Sequence, residues 1–130
     1  MLDHLGYPVS DFEKSKTFFI KALAPLGITI LMEVTKEMTG GSQHVGFGIS
    51  KPDFWIGDGK TAASGVHVAF AAKTRADVDM FYKAAIAAGG RDNGPPGPRP
   101  QYHANYYGAF VFDPDGNNIE AVCHAPTSST

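Results

Sequence analysis

His4, His67 and Glu120 are placed as a divalent metal would need them: two imidazoles and one carboxylate, borderline nitrogen and oxygen donors that suit Zn²⁺, Fe²⁺, Mn²⁺ or Ni²⁺ and leave positions open for water or substrate. Their spacing comes from a duplication rather than a local motif. One constant offset overlays the first half of the chain on the second, pairing His4 with His67, Phe18 with Phe81, Ala22 with Ala85, Ala24 with Ala87, Gly27 with Gly90 and Phe47 with Phe110. Each copy carries one imidazole in its opening strand, and Glu120 stands in the last strand-like segment of the second copy.

The elements that must position these side chains follow from periodicity. Residues 2–9 alternate, with Leu5, Tyr7 and Val9 on one side and His4, Gly6 and Pro8 on the other, as a half-buried strand does. Ser10 or Asp11 caps a helix whose apolar stripe is Phe12, Phe19, Ala22, Leu23 and Leu26 and which ends at Pro25 and Gly27. Strands are expected over residues 28–34, 44–49 and 54–57. The second copy repeats the pattern: a strand over 66–72, a helix capped by Thr74 with Val78, Phe81, Tyr82, Ala85 and Ile86 inward, and two strands over about 106–112 and 118–124 around the turn Asp113-Pro114-Asp115-Gly116-Asn117. Residues 92–100, rich in proline and glycine, are expected to be loop with at most a short edge strand. The fold class is therefore α+β: two βαβββ modules, residues 1–60 and 64–124, forming a cup-shaped mixed sheet with helices on its convex face, followed by a fraying tail at 125–130.

Alternation also decides which way the chemistry points. The strand face bearing His4 carries only Gly6 and Pro8 besides, and that bearing His67 only Ala69 and Ala71. Ile119, Ala121 and Cys123 form the apolar set of the last strand, which turns Glu120 to the other side. If the bulky faces lie under the helices, the three polar residues line a hollow.

Composition narrows the partners. A chain of 130 residues with 43% hydrophobic residues can build one real core. The net charge of −2, with no run of Lys or Arg, gives no footprint for nucleic acid or an anionic membrane. A single cysteine forms no intrachain disulfide, no stretch is long and apolar enough for a membrane span, and Met1 is followed by no secretory signal, so a cytoplasmic protein is expected.

Three segments together, from His4 through Asp11 to Phe18-Phe19, Gly65-Val66-His67-Val68-Ala69-Phe70, and Asp113 through Glu120, resemble the glyoxalase / bleomycin-resistance / extradiol-dioxygenase superfamily, also called vicinal oxygen chelate proteins. The resemblance covers essentially the whole chain. It implies paired βαβββ modules, often in a homodimer, with metal ligands on the first and last strand of each module, and His4, His67 and Glu120 match three such positions. At the fourth, where glyoxalase I has a carboxylate or glutamine, this chain has Trp55, which cannot ligate. The resemblance thus implies a lyase- or dioxygenase-type enzyme that chelates vicinal oxygens of a small substrate through three protein ligands, rather than ordinary glyoxalase I chemistry. The rival from another class is a non-catalytic protein that sequesters a small molecule, as bleomycin-resistance members do.

A second cluster surrounds His103, between Tyr102 and the pair Tyr106-Tyr107. One reading makes it a lid, with Glu120 and His103 as the acid/base pair and Tyr102, Tyr107, Trp55 and His44 as substrate contacts. The other packs the tyrosines along a sheet edge and leaves His103 in solvent. Trp55 is equally open between cavity wall and dimer contact, and His124 between a structural and a site role.

Overall fold

In the computed structural model, which describes residues 1–59 and 64–126, the two halves fold as the expected pair of modules. The first comprises β1 (Leu5–Val9), α1 (Phe12–Leu23), β2 (Thr29–Val34), α2 (Lys36–Thr39), β3 (His44–Gly48) and β4 (Pro52–Asp58). The second comprises β5 (His67–Ala71), α3 (Arg75–Ala87), β6 (Arg91–Pro98), β7 (Tyr107–Phe112) and β8 (Asn118–Cys123). The junction at 60–63 and the last four residues of the expected tail, 127–130, lie outside the described residues.

Each module makes one four-stranded mixed sheet, ordered β1-β4-β3-β2 and β5-β8-β7-β6. β1 runs parallel to β4 and β5 parallel to β8, and the other neighbours are antiparallel. The opening strands follow the alternation read from sequence: Tyr7, Val9, Val68 and Phe70 are buried, whereas Gly6, Pro8, Ala69 and Ala71 are exposed. The helices cover the buried faces. Phe19 on α1 packs its ring 5.0 Å from Phe54 on β4. Phe54 in turn meets Phe70 of the other module edge-on at 5.1 Å, so the two modules share one core. Among the described residues, no helix packs against the opposite, open face of either sheet, where Gly6, Pro8, Ala69 and Ala71 are exposed.

Helix starts are set by side chains that satisfy free backbone donors. Asp11 accepts from the Lys14 N–H at 3.1 Å, and Thr74 accepts from the Asp77 N–H at 3.1 Å. Thr74→Ala is expected to lower stability by about 1 kcal/mol in urea unfolding with no change in the open face of the second sheet.

Residues 92–100 differ from the expected loop: most of them form β6, an eight-residue strand at the sheet edge. Position explains why the prolines are tolerated. β6 has one neighbour, and its register against β7 shifts between Asp92 and Gly94 and again between Gly94 and Gly97, so Pro95 and Pro96 fall where no ladder donor is required. A second difference is α2, a single turn capped by Thr35 that sequence periodicity is too short to reveal.

Candidate metal centre

The second module builds a half-site on its open face. Glu120 sits centrally in β8, opposite Ala69 of β5 on one side and Phe110 of β7 on the other. It is only 1% exposed although its face is open, because neighbouring side chains lie over it. His67 Nε2 is 3.0 Å from Glu120 Oε1. The Tyr106 hydroxyl donates to Oε2. Burial, followed by the bond to Glu120, pushes the Tyr106 hydroxyl up to about 12. Room for this pair depends on Gly108, where a Cβ would stand 3.2 Å from both Glu120 Oε2 and the Tyr106 ring.

This donor set fits a cation. A buried carboxylate is costly unless a positive charge or several donors compensate it. Here, among the described residues, Glu120 has no Lys or Arg ion pair, only an imidazole and a hydroxyl. An imidazole nitrogen beside a buried carboxylate oxygen supplies two of the donor types that a divalent-metal site uses.

The first module holds the matching positions with different contents. Trp55 pairs with Gly6 in β1 as Glu120 pairs with Ala69 in β5, so the two sheets put Trp55 and Glu120 at equivalent points. The indole lies across the sheet: a Cβ on Gly46 would come within 2.8 Å of its ring and one on Gly6 within 2.9 Å of its Cβ. Its N–H donates to the Pro52 carbonyl at 3.2 Å. His44 lies over Gly57 and reaches Ser42 Oγ at 3.2 Å, and it lines a cavity of about 240 Å³ with Trp55 and Gly6.

His4 stands one residue before β1, with its side chain 60% exposed. Its Nδ1 is 2.7 Å from Asp3 Oδ2, and Lys51 holds the other oxygen of Asp3 at 2.6 Å. Lys51 first, then His4, pull the Asp3 carboxyl down to about 2. A groove of about 560 Å³ between the modules takes in His4, Leu5, Ala69 and Ala71, but neither His67 nor Glu120 lines it. Among the described residues, no three His, Cys, Asp or Glu side chains gather as an ion would need within one chain. The structure thus brings His67 and Glu120 together and leaves His4 apart from them.

The loop cluster is ordered around Tyr106. Its ring is 4.9 Å from Tyr102, 5.4 Å from His103 and 5.3 Å from His124. His103 Nε2 is 2.8 Å from His124 Nδ1, and His103 Nδ1 accepts from the Asn105 N–H at 3.0 Å. Tyr107 faces the other way, donating to Asp79 of α3 at 2.6 Å, and burial, followed by the bond to that carboxylate, raises its hydroxyl to about 12. Sequence reasoning named Tyr102 and Tyr107 and passed over Tyr106 and Phe110. Alternation along the strand was the available signal, since Tyr106, Gly108 and Phe110 share one parity and Tyr107 has the other.

Comparison with known proteins agrees with this architecture. The family model described as Glyoxalase/Bleomycin resistance protein/Dioxygenase superfamily matches residues 1–121. A glyoxalase/bleomycin resistance protein from Albidiferax ferrireducens is 31% identical, with 95% of this chain and 98% of that one covered and a TM-score of 0.75. Two further likenesses are of fold alone. The fosfomycin resistance protein FosX from Listeria monocytogenes, complexed with Mn(II) and sulfate, is 17% identical over 99% of this chain and 95% of that one at a TM-score of 0.66. Glyoxalase I from Zea mays is 20% identical over 93% of this chain and 43% of that one at a TM-score of 0.69. No curated protein matches the chain. From its opening strand to the strand that carries Glu120, this chain belongs to the glyoxalase/bleomycin resistance protein/dioxygenase superfamily.

Proposed function

We propose that the chain is a metal-dependent enzyme of lyase or dioxygenase type, and that it works as a homodimer in which His67 and Glu120 of one copy and His4 of the other hold one divalent ion. The observation that carries the reading is the buried Glu120, held by His67 and Tyr106 and, among the described residues, without a Lys or Arg ion pair. The module-one sheet offers the complementary half: an open face walled by Trp55, with His4 exposed at its end and Leu31, Met32 and Ile49 exposed around it. In an isologous dimer each module-one face covers a module-two face, so both cups close at once and the exposed apolar side chains are buried.

A bound divalent ion supplies Lewis acidity toward two adjacent oxygens of a small substrate. The chain's own residues do the rest. Tyr106 fixes the Glu120 carboxylate, Trp55 and Phe110 form the apolar walls that exclude water, and His44 and Tyr102 contact the substrate at the rim. His103 handles protons at Nε2: its Nδ1 already accepts a backbone N–H, so in the neutral ring the proton sits on Nε2, directed to His124. Trp55 removes the second carboxylate that ordinary glyoxalase I proton shuttling uses, which favours three-ligand chemistry.

Protein purified without a chelating tag is expected to carry about one ion per chain by elemental analysis, as a site of this donor set should. A preparation that neither contains nor takes up a divalent ion overturns the enzyme reading and leaves a sequestering cup. Tyr106→Phe is expected to weaken the ion roughly 10- to 100-fold in competition with a chromophoric chelator, because it frees the carboxylate that the hydroxyl orients.

A further inference from the structure

We propose that Arg99 is an anion anchor, so that the substrate of this cup is a small organic acid whose flat body lies along Phe110. The inference deepens the reading of the His67–Glu120 face and rests on that reading for the position of the reacting end. Phe110 shares the open face with Glu120, directly across the ladder from it. Its ring centroid is 6.4 Å from that of His67 and 5.4 Å from the Arg99 guanidinium carbon. The imidazole and the guanidinium therefore both lie near one aromatic ring.

The irregular strand β6 serves to hold this arginine. Its guanidinium donates to the Pro95 carbonyl at 2.7 Å and to the Gly97 carbonyl at 2.8 Å, with Pro95 in the stretch that the register shift leaves without a ladder partner. Glycines let it lie close: a Cβ on Gly94 would stand 3.3 Å from one of its nitrogens and one on Gly97 3.2 Å from the other. Among the described residues Arg99 forms no ion pair, so carbonyl dipoles position the group while its full charge stays uncompensated. A fixed, unpaired guanidinium beside an aromatic wall is suited to a carboxylate or phosphonate, which it can grip through two parallel hydrogen bonds.

The test compares benzoate and phenylphosphonate with the neutral isostere benzamide, by calorimetry on the whole protein stripped of metal. Wild type is expected to bind one of the two anions at least about tenfold more tightly than benzamide, a preference that charge-assisted pairing can supply. Arg99→Gln should erase that preference, and Arg99→Lys, which keeps the charge but loses the fork, should retain part of it. Arg91→Gln, at a guanidinium that lies over Phe112 instead, should leave it intact. Equal binding of anion and amide by wild type, binding of none of the three, or a preference that survives Arg99→Gln each overturn the proposal. The wild-type comparison needs no variant to fold. Metal content is read separately, so an anion preference in protein that takes up no ion would sink the enzyme reading and keep this one.

Discussion

Mixing His4→Ala chains with Glu120→Ala chains is expected to restore metal binding that neither variant shows alone. Each variant dimer lacks a ligand in both of its sites. In a mixed dimer one site lacks both residues, while the other joins the intact His4 of one chain to the intact His67 and Glu120 of its partner. After the two are unfolded and refolded together, half of the dimers are mixed, and ion content should reach roughly a quarter of the wild-type value under two-fold symmetry. Native mass spectrometry would confirm the exchange and elemental analysis would count the ions. The basis is geometric: His67 and Glu120 stand 3.0 Å apart, whereas His4 is turned to Asp3 outside their group. Mixed dimers that carry no more ion than their parents would place the third ligand elsewhere, as would His4→Ala protein that keeps its full complement.

Asp113→Ala is expected to cost about 3–5 kcal/mol in urea unfolding, because it removes a buried acceptor on which several donors converge. Asp113 is 2% exposed and accepts from the Tyr7 hydroxyl at 2.8 Å and the backbone N–H groups of Asp115 and Asn117 at 2.9 and 2.8 Å. Around it the turn between β7 and β8 ties the modules together. Asp115 accepts from the backbone and side chain of Ser10, and Asn117 accepts from the Val66 N–H at the entry to β5. A loss below about 1 kcal/mol would mean that the shared aromatic core alone joins the modules.

Tyr7 gives this junction a pH signature. Burial first, then the Asp113 charge, hold its hydroxyl far above the ordinary tyrosine value. Below pH about 10 folded and unfolded chains both keep this proton, so its contribution to stability is complete; above it the unfolded chain loses the proton first and the fold weakens as pH rises. Tyr7→Phe should therefore be less stable than wild type at neutral pH yet lose less on going to alkaline pH. Tyr106 and Tyr107, each raised to about 12, leave it a residual slope. Equal alkaline slopes in Tyr7→Phe and wild type would show that Tyr7 does not carry the effect.

The duplication, the order of elements and the facing of the opening strands were legible because each is a local regularity: apolar side chains recur with the period of the element that buries them. The candidate ligands were legible for the same reason, since His67 and Glu120 occupy the parity that the core leaves free. Trp55 pairs with Gly6 as Glu120 pairs with Ala69, so the two residues hold equivalent register positions in their sheets. The proline-rich stretch could not be read as β6, because composition records missing donors but not that an edge strand needs only one partner. Tyr106 shares the parity of Gly108 and Phe110 whereas Tyr107 takes the other, but only its contact with Glu120 in the folded chain marks it out among the three tyrosines.

Side-chain periodicity along single elements is enough to imply two modules, an apolar interior and a polar set pointing away from it, because that periodicity dictates burial. Which side chains meet is a property of the folded chain: Glu120 with His67 and Tyr106, Asp113 with Tyr7, Arg99 with Phe110. Those meetings depend on strand order, bulges and the packing of one module on the other, which are properties of how distant segments close on each other and leave no periodic trace in the chain.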